Sequence, residues 1–101
     1  MGAGYVGVVT IDLHLPQSDS LKAKRKHVLS LKSDLHRRFG AAVAEVDYHD
    51  RRQRALLSVA LVDRRASDLN DRLDAIERFV TAHVEQARFA YHLVIKPEEL
   101  V

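Results

Sequence analysis

The sequence contains no cysteine, which excludes disulfide bonds, thiolate zinc sites and thiol nucleophiles, and which is typical of a reducing cytoplasm. It also lacks a long apolar run, since the longest, Ala55–Val62, includes Ser58 and is far too short to span a membrane. Residues 1–9 carry no positive side chain, so no signal peptide is predicted. The 101 residues, 47% of them apolar, predict a single soluble domain covering residues 1–101 and a cytoplasmic location.

The charges are distributed unevenly along the chain, although the net charge is only +2. Residues 1–40 hold seven lysines and arginines against three acids, residues 41–66 hold five against four, and residues 67–101 hold four against seven. The first part of the chain is therefore basic and the last third is acidic. Such asymmetry is compatible with a surface that binds a polyanion, and equally with two solvated helix faces.

Hydrophobic periodicity predicts six elements in the order strand, helix, strand, strand, helix, strand. The predicted strands are Tyr5–Leu15, Val43–Tyr48, Arg54–Val62 and Phe89–Ile95. The first helix is predicted between caps in Ser18-Asp19-Ser20 and at Gly40, and the second is capped by Ser67. This βαββαβ order predicts an α+β ferredoxin-like sandwich, a four-stranded antiparallel sheet with two helices on one face. In that fold the first strand's end, the first helix's start and the central hairpin meet at one edge.

A cluster of cations occupies the first turns of the first predicted helix, and the hairpin adds three more. They are Lys22, Lys24, Arg25, Lys26, Arg51, Arg52 and Arg54. The helix macrodipole disfavours each cation at a helix start by about 0.3–1 kcal/mol, and helical spacing also places Lys24 on the apolar stripe. Basic side chains around the free N–H groups of a helix start favour phosphate binding. The alternative is a solvated edge, whose arginines pair with nearby acids and from which Lys24 reaches solvent.

Histidines and carboxylates are predicted at the same edge of the sheet. They are Asp12, His14, Asp47, His49 and Asp50. Because histidine and carboxylate bind zinc, manganese or iron, a metal-dependent hydrolase using the first four of these residues is one hypothesis. Aspartates are also common in hairpins, where their side chains hydrogen-bond the nearby backbone, so neither a metal nor another cofactor is predicted. The sequence has no G-x-S-x-G nucleophile motif, and a non-enzymatic role is favoured.

The side of the sheet that faces away from the helices is predicted to be largely apolar. Strand alternation assigns to it Val6, Val8, Thr10, Val43, Leu56, Ala60 and Val94, with Asp12, Glu45, Ser58 and His92 among them. An apolar face of this kind indicates a partner surface, and a homodimer is one expectation. Phe89 and Tyr91 have the parity of the core, so base stacking on the open face, the mode of RNA-recognition motifs, is disfavoured.

Three ordered segments resemble the YlxP-like family of small bacterial proteins. They are Val8–Pro16, Ser20–Arg25, and Ala44–Asp50 followed by Gln53-Arg54-Ala55. The resemblance covers nearly the whole chain and implies a ferredoxin-like fold and a cytoplasmic bacterial protein, but no known activity. Genes of the family tend to lie near those of translation and ribosome-maturation factors, which implies association with RNA or the ribosome. The sequence departs from the family in having Ala23 where glutamate is usual, and Tyr48-His49 where His-Gln is common.

The leading hypothesis is a small non-enzymatic protein that binds structured RNA, in particular ribosomal RNA, through the cations at this edge of the sheet. The seven cations would contact phosphates, and His14, Asp47, His49 and Asp50 would orient them. The alternative hypothesis is a dimeric module that binds a small ligand or regulates a partner, since ferredoxin-like folds host such functions as well. No membrane partner is predicted.

Overall fold

The structure, a computed structural model, describes residues 2–100 apart from the side chains of Tyr91 and Leu100. The elements are β1 (Tyr5–His14), α1 (Leu21–Phe39), β2 (Ala42–Asp47), β3 (Arg54–Asp63), α2 (Ala66–His83) and β4 (Gln86–Ile95), followed by a 3₁₀ helix (Pro97–Leu100). The predicted α+β class and the βαββαβ order of elements are confirmed. Within residues 2–100, no helix combines the length and the apolar character that crossing a membrane requires.

The four strands form one antiparallel sheet in the order β2-β3-β1-β4. β1 and β3 lie at its centre and pair over their full length, from Tyr5 opposite Asp63 to His14 opposite Arg54. Alternate residues of these two strands are buried because both helices cover one face of the sheet. The principal core residues are Val9, Ile11, Leu13, Leu57, Val59 and Leu61 of the sheet, with Leu31, Leu35, Leu69, Leu73, Ile76 and Val80 of the helices.

The two helices begin in different ways. The Ser20 hydroxyl accepts a hydrogen bond from the Ala23 N–H at 3.0 Å, and Gly40 ends α1 in a left-handed conformation with φ 65°, so both predicted caps of α1 are confirmed. α2 begins at Ala66, and its N-cap is Arg65, which makes no side-chain capping bond. The prediction that Ser67 caps α2 is therefore wrong, because the helix already includes that residue.

Close packing of α2 over β1 depends on Gly7. A Cβ atom at this position would lie 2.9 Å from Leu73 Cδ1 and 3.2 Å from Leu69 Cδ2. Both distances are shorter than ordinary van der Waals contacts, so only the absence of a side chain allows α2 to approach β1 this closely.

A bulge in β4 changes the face that its second half presents. Ala90 is an extra residue in the pairing with β1. Beyond it, Val94 packs against the core, and His92 Nδ1 lies 3.5 Å from Glu77 Oε1 of α2. The prediction that His92 and Val94 lie on the open face is therefore wrong. A strict two-residue alternation through β4 cannot anticipate an inserted residue.

β2 also faces the other way from the prediction. Val43 and Glu45 pair with buried Val59 and Leu57, so they lie on the helix side of the sheet rather than on the open face. A bulge after Glu45 then interrupts the alternation. Alternation in this short strand favours burial of its apolar parity, Ala42, Ala44 and Val46, but Glu45 of the other parity faces the helices because its carboxylate binds the buried Lys24 ammonium.

The remaining open face is still largely apolar. Its apolar members are Val6, Val8, Leu56, Ala60, Val62, Leu93 and Ile95, placed by the register of β1 with β3 and β4. Six of them are half-buried by their neighbours, Val62 is 67% exposed, and no helix covers this face within the described part of the chain. The sequence predicts that Tyr91 has the parity of the core, but the side chain of this residue lies outside the part of the chain that the structure describes.

Candidate functional site

The end of β1, the start of α1 and the β2–β3 hairpin meet at one edge of the sheet, as predicted. The Leu15 N–H donates to the Gln53 carbonyl at 2.9 Å. The Gln53 side chain in turn donates from Nε2 to the Ser18 carbonyl at 3.2 Å and to the Pro16 carbonyl at 3.4 Å. These bonds tie the hairpin to the β1–α1 connection. We call the surface formed by residues 12–26 and 47–54 the basic edge.

Lys24 lies beneath the basic edge and is 0% exposed. Its Nζ donates to Glu45 Oε2 at 2.8 Å and to the carbonyls of Tyr48 and His49 at 3.0 and 3.2 Å. These three acceptors use the three hydrogens of the ammonium. The Arg54 carbonyl oxygen lies 3.5 Å from the same Nζ. The prediction that Lys24 contacts phosphate is therefore wrong. Its place on the apolar stripe of α1 directs the side chain inward, where Glu45 and the hairpin receive it.

The hairpin adopts the conformation that these bonds require. Tyr48 has φ 64°, a left-handed backbone that is uncommon for a tyrosine. Its N–H donates to Asp47 Oδ1 at 2.7 Å, and its carbonyl accepts from the Arg51 N–H at 2.9 Å as well as from Lys24. His49 Nε2 lies 3.0 Å from the Glu45 carbonyl. Asp47 and His49 thus stabilise the turn.

Arg54 is anchored by the carboxylate of Asp12. Its Nε and Nη2 donate to the two oxygens of Asp12 at 3.2 and 2.8 Å, and its guanidinium stacks on the Tyr48 ring at 4.0 Å. The hydrogen bond from Arg54 lowers the pKa of Asp12, and the same bond raises the pKa of Arg54. His14 Nε2 lies 3.7 Å from Asp12 Oδ1. The charge of Arg54 is therefore largely balanced within the protein.

An open pocket of about 620 Å³ lies between the hairpin, the β1–α1 connection and the start of β4. Its lining consists of Arg51, Arg52, Arg54, His14, Asp50, Gln53, Gln86, Pro16 and Leu21. Arg51 and Arg52 are exposed, and within residues 2–100 neither has a carboxylate oxygen within 4.0 Å. These two arginines therefore leave positive charge in the pocket that the described residues do not neutralise.

The three other cations of α1 remain at the surface. Lys22, Arg25 and Lys26 are exposed and form neither a hydrogen bond nor an ion pair through their side chains with any described residue. Arg25 lies one helical turn after Leu21, which lines the pocket, so the two share a helix face. Lys22 and Lys26 lie on the side of α1 opposite Lys24. The accessible cations nearest the pocket are thus Arg25, Arg51 and Arg52.

The carboxylates and histidines of the edge are engaged in different bonds. Asp12 binds Arg54, Asp47 binds the Tyr48 backbone and His49 binds the Glu45 carbonyl. Among the described residues, no three histidine or carboxylate side chains are arranged to hold a metal ion. The geometry therefore does not bring together the four residues of the hydrolase hypothesis.

Several residues of this site are absent from the sequence prediction. Gln86 lines the pocket but precedes the predicted strand, because β4 begins three residues before Phe89. Gln53 also lines the pocket, and the sequence assigns it no role. For Glu45, strand alternation predicts the open face of the sheet, whereas the residue lies on the helix side. A lysine on an apolar stripe requires an acidic partner from the facing strand, and that requirement is the signal that identifies Glu45.

Comparison with known proteins places the chain within a family. No curated protein matches it. Residues 6–92 match the family described as "Protein of unknown function (DUF503)". The match includes β1 from Val6 onward, α1, the hairpin and every residue that lines the pocket. The chain therefore belongs to this family of unknown function.

Proposed function

We propose that this protein is a cytoplasmic, non-enzymatic RNA-binding protein, and that its hairpin arginines bind backbone phosphates of structured RNA such as ribosomal RNA. The observation that carries the proposal is the presence of the exposed Arg51 and Arg52 in an open pocket where neither forms an ion pair within 4.0 Å with a described residue, although Asp50 also lines the pocket. Lys24 and Arg54, which belong to the same basic edge, are paired internally. Family membership is compatible with the YlxP-like resemblance, and it is that resemblance which implies association with RNA or the ribosome.

The distribution of the accessible cations favours a polymer over a single small anion. Arg51 and Arg52 come from the hairpin and Arg25 from α1, while Lys22 and Lys26 continue the positive surface around the helix. A chain of phosphates engages such a row of cations together and releases its condensed counterions, which makes the affinity depend strongly on salt. The five accessible cations thus fit a nucleic-acid backbone.

The experiment is a titration of a fluorescent ribosomal RNA hairpin with the protein, followed by anisotropy at about 50 and 200 mM salt. We expect the affinity to fall by at least about tenfold between these conditions, because several phosphate contacts are lost. The double variant Arg51→Glu/Arg52→Glu should bind weakly and with a smaller salt slope.

The matched control is Arg64→Glu/Arg65→Glu. Both control residues are exposed and follow β3 at the end opposite the hairpin, about 30 Å away. Each double variant changes the net charge from +2 to −2. Equal losses in the two variants would show that net charge alone drives binding, and no binding at the lower salt would reject the proposal.

A second candidate function, a dimeric regulatory module, is favoured by the apolar open face. We propose a second copy of the chain as the partner for this face. Three strands about 33 Å long and the shorter β2 of about 20 Å, spaced about 4.8 Å apart, present roughly 570 Å² per protomer, somewhat below the ~800 Å² of a standard interface. Val62, which is 67% exposed, extends the apolar surface at one end.

Light scattering after gel filtration tests the dimer. We expect a mass twice the 11.4 kDa of the chain, and Val8→Asp should reduce it to that of one chain. Leu29→Asp is the control, because Leu29 is an exposed apolar residue that lies on α1 and not on the open face of the sheet. A monomeric mass at every accessible concentration would reject this candidate.

A further inference from the structure

We propose that the arginine-lined pocket receives one unpaired nucleotide of the RNA, with its phosphate on Arg51 and Arg52 and its base between the amide and apolar side chains. This inference rests on the proposed RNA binding and specifies which part of an RNA is recognised. It follows from the size of the pocket, from its lining of both polar and apolar side chains, and from Arg54, which Asp12 already holds in place.

The size and lining of the pocket suit a nucleotide better than a phosphate alone. Its volume of about 620 Å³ lies within the range of ordinary ligand sites, whereas a phosphate group would occupy only a small part of it. Pro16 and Leu21 supply apolar surface beside the arginines. A nucleotide combines the same two chemistries, since its phosphate is charged and the faces of its base are apolar.

Arg54 adds a rigid donor to two flexible ones. Its Nε and Nη2 are bound to Asp12, and the Tyr48 ring supports the guanidinium plane. Its Nη1 has no acceptor among the described residues, so its hydrogens remain available in the pocket lining. Because this side chain is already ordered, binding through it costs less conformational entropy than binding through a free arginine.

Side chains that recognise base edges lie in the same pocket. Gln53 Nε2 is held by the carbonyls of Ser18 and Pro16, which fixes the amide, while Oε1 has no partner within residues 2–100. Gln86 has no side-chain hydrogen bond within the same range, and Asp50 is an acceptor for an exocyclic amino group. Amide and carboxylate side chains bind base edges in this way. An unpaired base can leave its stack and present that edge to a concave site without breaking a base pair, whereas a paired base must also pay for unpairing.

The first test compares two RNAs with the same stem, one closed by a single-stranded loop and one ending as a blunt duplex. At about 100 mM salt we expect the looped RNA to bind at least about tenfold more tightly. Equal affinities for the two RNAs, with a salt slope that still depends on Arg51 and Arg52, would overturn the nucleotide pocket and leave the proposed function standing. Absence of binding to both RNAs would overturn the proposed function as well.

The second test compares inorganic phosphate with adenosine 5′-monophosphate by NMR titration of the amide signals. We expect the nucleotide to bind about tenfold more tightly than phosphate, because the base adds hydrogen bonds and apolar contact. Gln86→Leu should remove this gain and leave the phosphate affinity unchanged. The matched control is Gln17→Leu, at an exposed glutamine outside this pocket, and it should keep the gain. Equal affinities for phosphate and nucleotide in the wild-type protein would overturn the inference.

Discussion

Lys24 and Glu45 form an ion pair between α1 and β2, with Nζ 2.8 Å from Oε2 and the lysine fully buried. The carbonyls of Tyr48 and His49 accept the other two hydrogens of the ammonium. A buried charge is tolerated only when each of its hydrogens is satisfied, and the hairpin provides this satisfaction. The pair therefore links the basic edge to the core, although it contributes no charge to the surface.

Removal of this lysine should be among the most destabilising changes in the protein. We expect Lys24→Met to lower the free energy of unfolding by about 3–5 kcal/mol, because it leaves the Glu45 carboxylate and the His49 carbonyl without a donor and removes one of the two donors to the Tyr48 carbonyl. Urea denaturation measures the effect. Lys26→Met, at an exposed position on the same helix, should stay within about 0.5 kcal/mol of the wild type. A similarly small effect of Lys24→Met would contradict the buried ion pair.

The bond between Asp12 and Arg54 makes stability depend on pH in the acidic range. Because Arg54 lowers the folded-state pKa of Asp12, the bond contributes fully above the unfolded-state pKa and its contribution is lost as pH falls through the folded-state value. We expect the stability difference between wild type and Asp12→Asn to be largest near neutrality and to shrink below about pH 4. Urea denaturation across this range checks it. A difference independent of pH would show that the carboxylate charge is not involved.

The left-handed backbone at Tyr48 reverses the usual ranking of alanine and glycine. Tyr48→Ala and Tyr48→Gly both remove the ring that supports Arg54, so the two variants differ only in backbone preference. With φ at 64°, the glycine variant should be more stable by about 1 kcal/mol, whereas glycine normally costs stability relative to alanine. Thermal or urea denaturation of the pair measures the difference. A more stable alanine variant would mean that the turn does not hold this conformation in solution.

Gly7→Ala should disrupt the contact between β1 and α2. The new methyl group would lie 2.9 Å from Leu73 Cδ1, so α2 must shift or Leu73 must change its rotamer. Overpacking of this kind typically costs about 1–3 kcal/mol of unfolding free energy, which urea denaturation resolves. Gly2→Ala is the control, because its nearest contact would be an ordinary 3.6 Å. Equal stability of the two variants would refute the tight packing.

The strongest periodic signals in the sequence predict the fold well. β1 alternates clearly, β3 is apolar on both parities, and Ser20 and Gly40 have the residue types that cap helices. From the order of these elements, topology alone brings the hairpin to the start of α1. The meeting of the basic segments at one edge was therefore predictable before any side chain was placed.

The sequence predicts the bonding partners of individual side chains less well than it predicts the fold. Alternation in β2 favours a buried face made of Ala42, Ala44 and Val46, and only the contact with the buried Lys24 turns Glu45 to the helix side. The bulges in β2 and β4 each shift the pairing of an outer strand by one residue. Helical spacing correctly predicts that Lys24 lies on the apolar stripe of α1. The sequence does not show that Glu45 lies opposite, so it predicts a surface position for the lysine ammonium. The division of the cations into internal and accessible ones thus required three-dimensional structure.

Each outer strand of the sheet carries an irregularity that the inner strands lack. β2 has an extra residue at Val46 and β4 has one at Ala90, whereas β1 and β3 pair without interruption. A regular outer strand offers a continuous row of backbone donors and acceptors to which a strand of another molecule can add. An extra residue breaks that row and twists the strand. The two bulges therefore leave neither outer strand with an uninterrupted row of backbone groups to which a strand of another molecule could add.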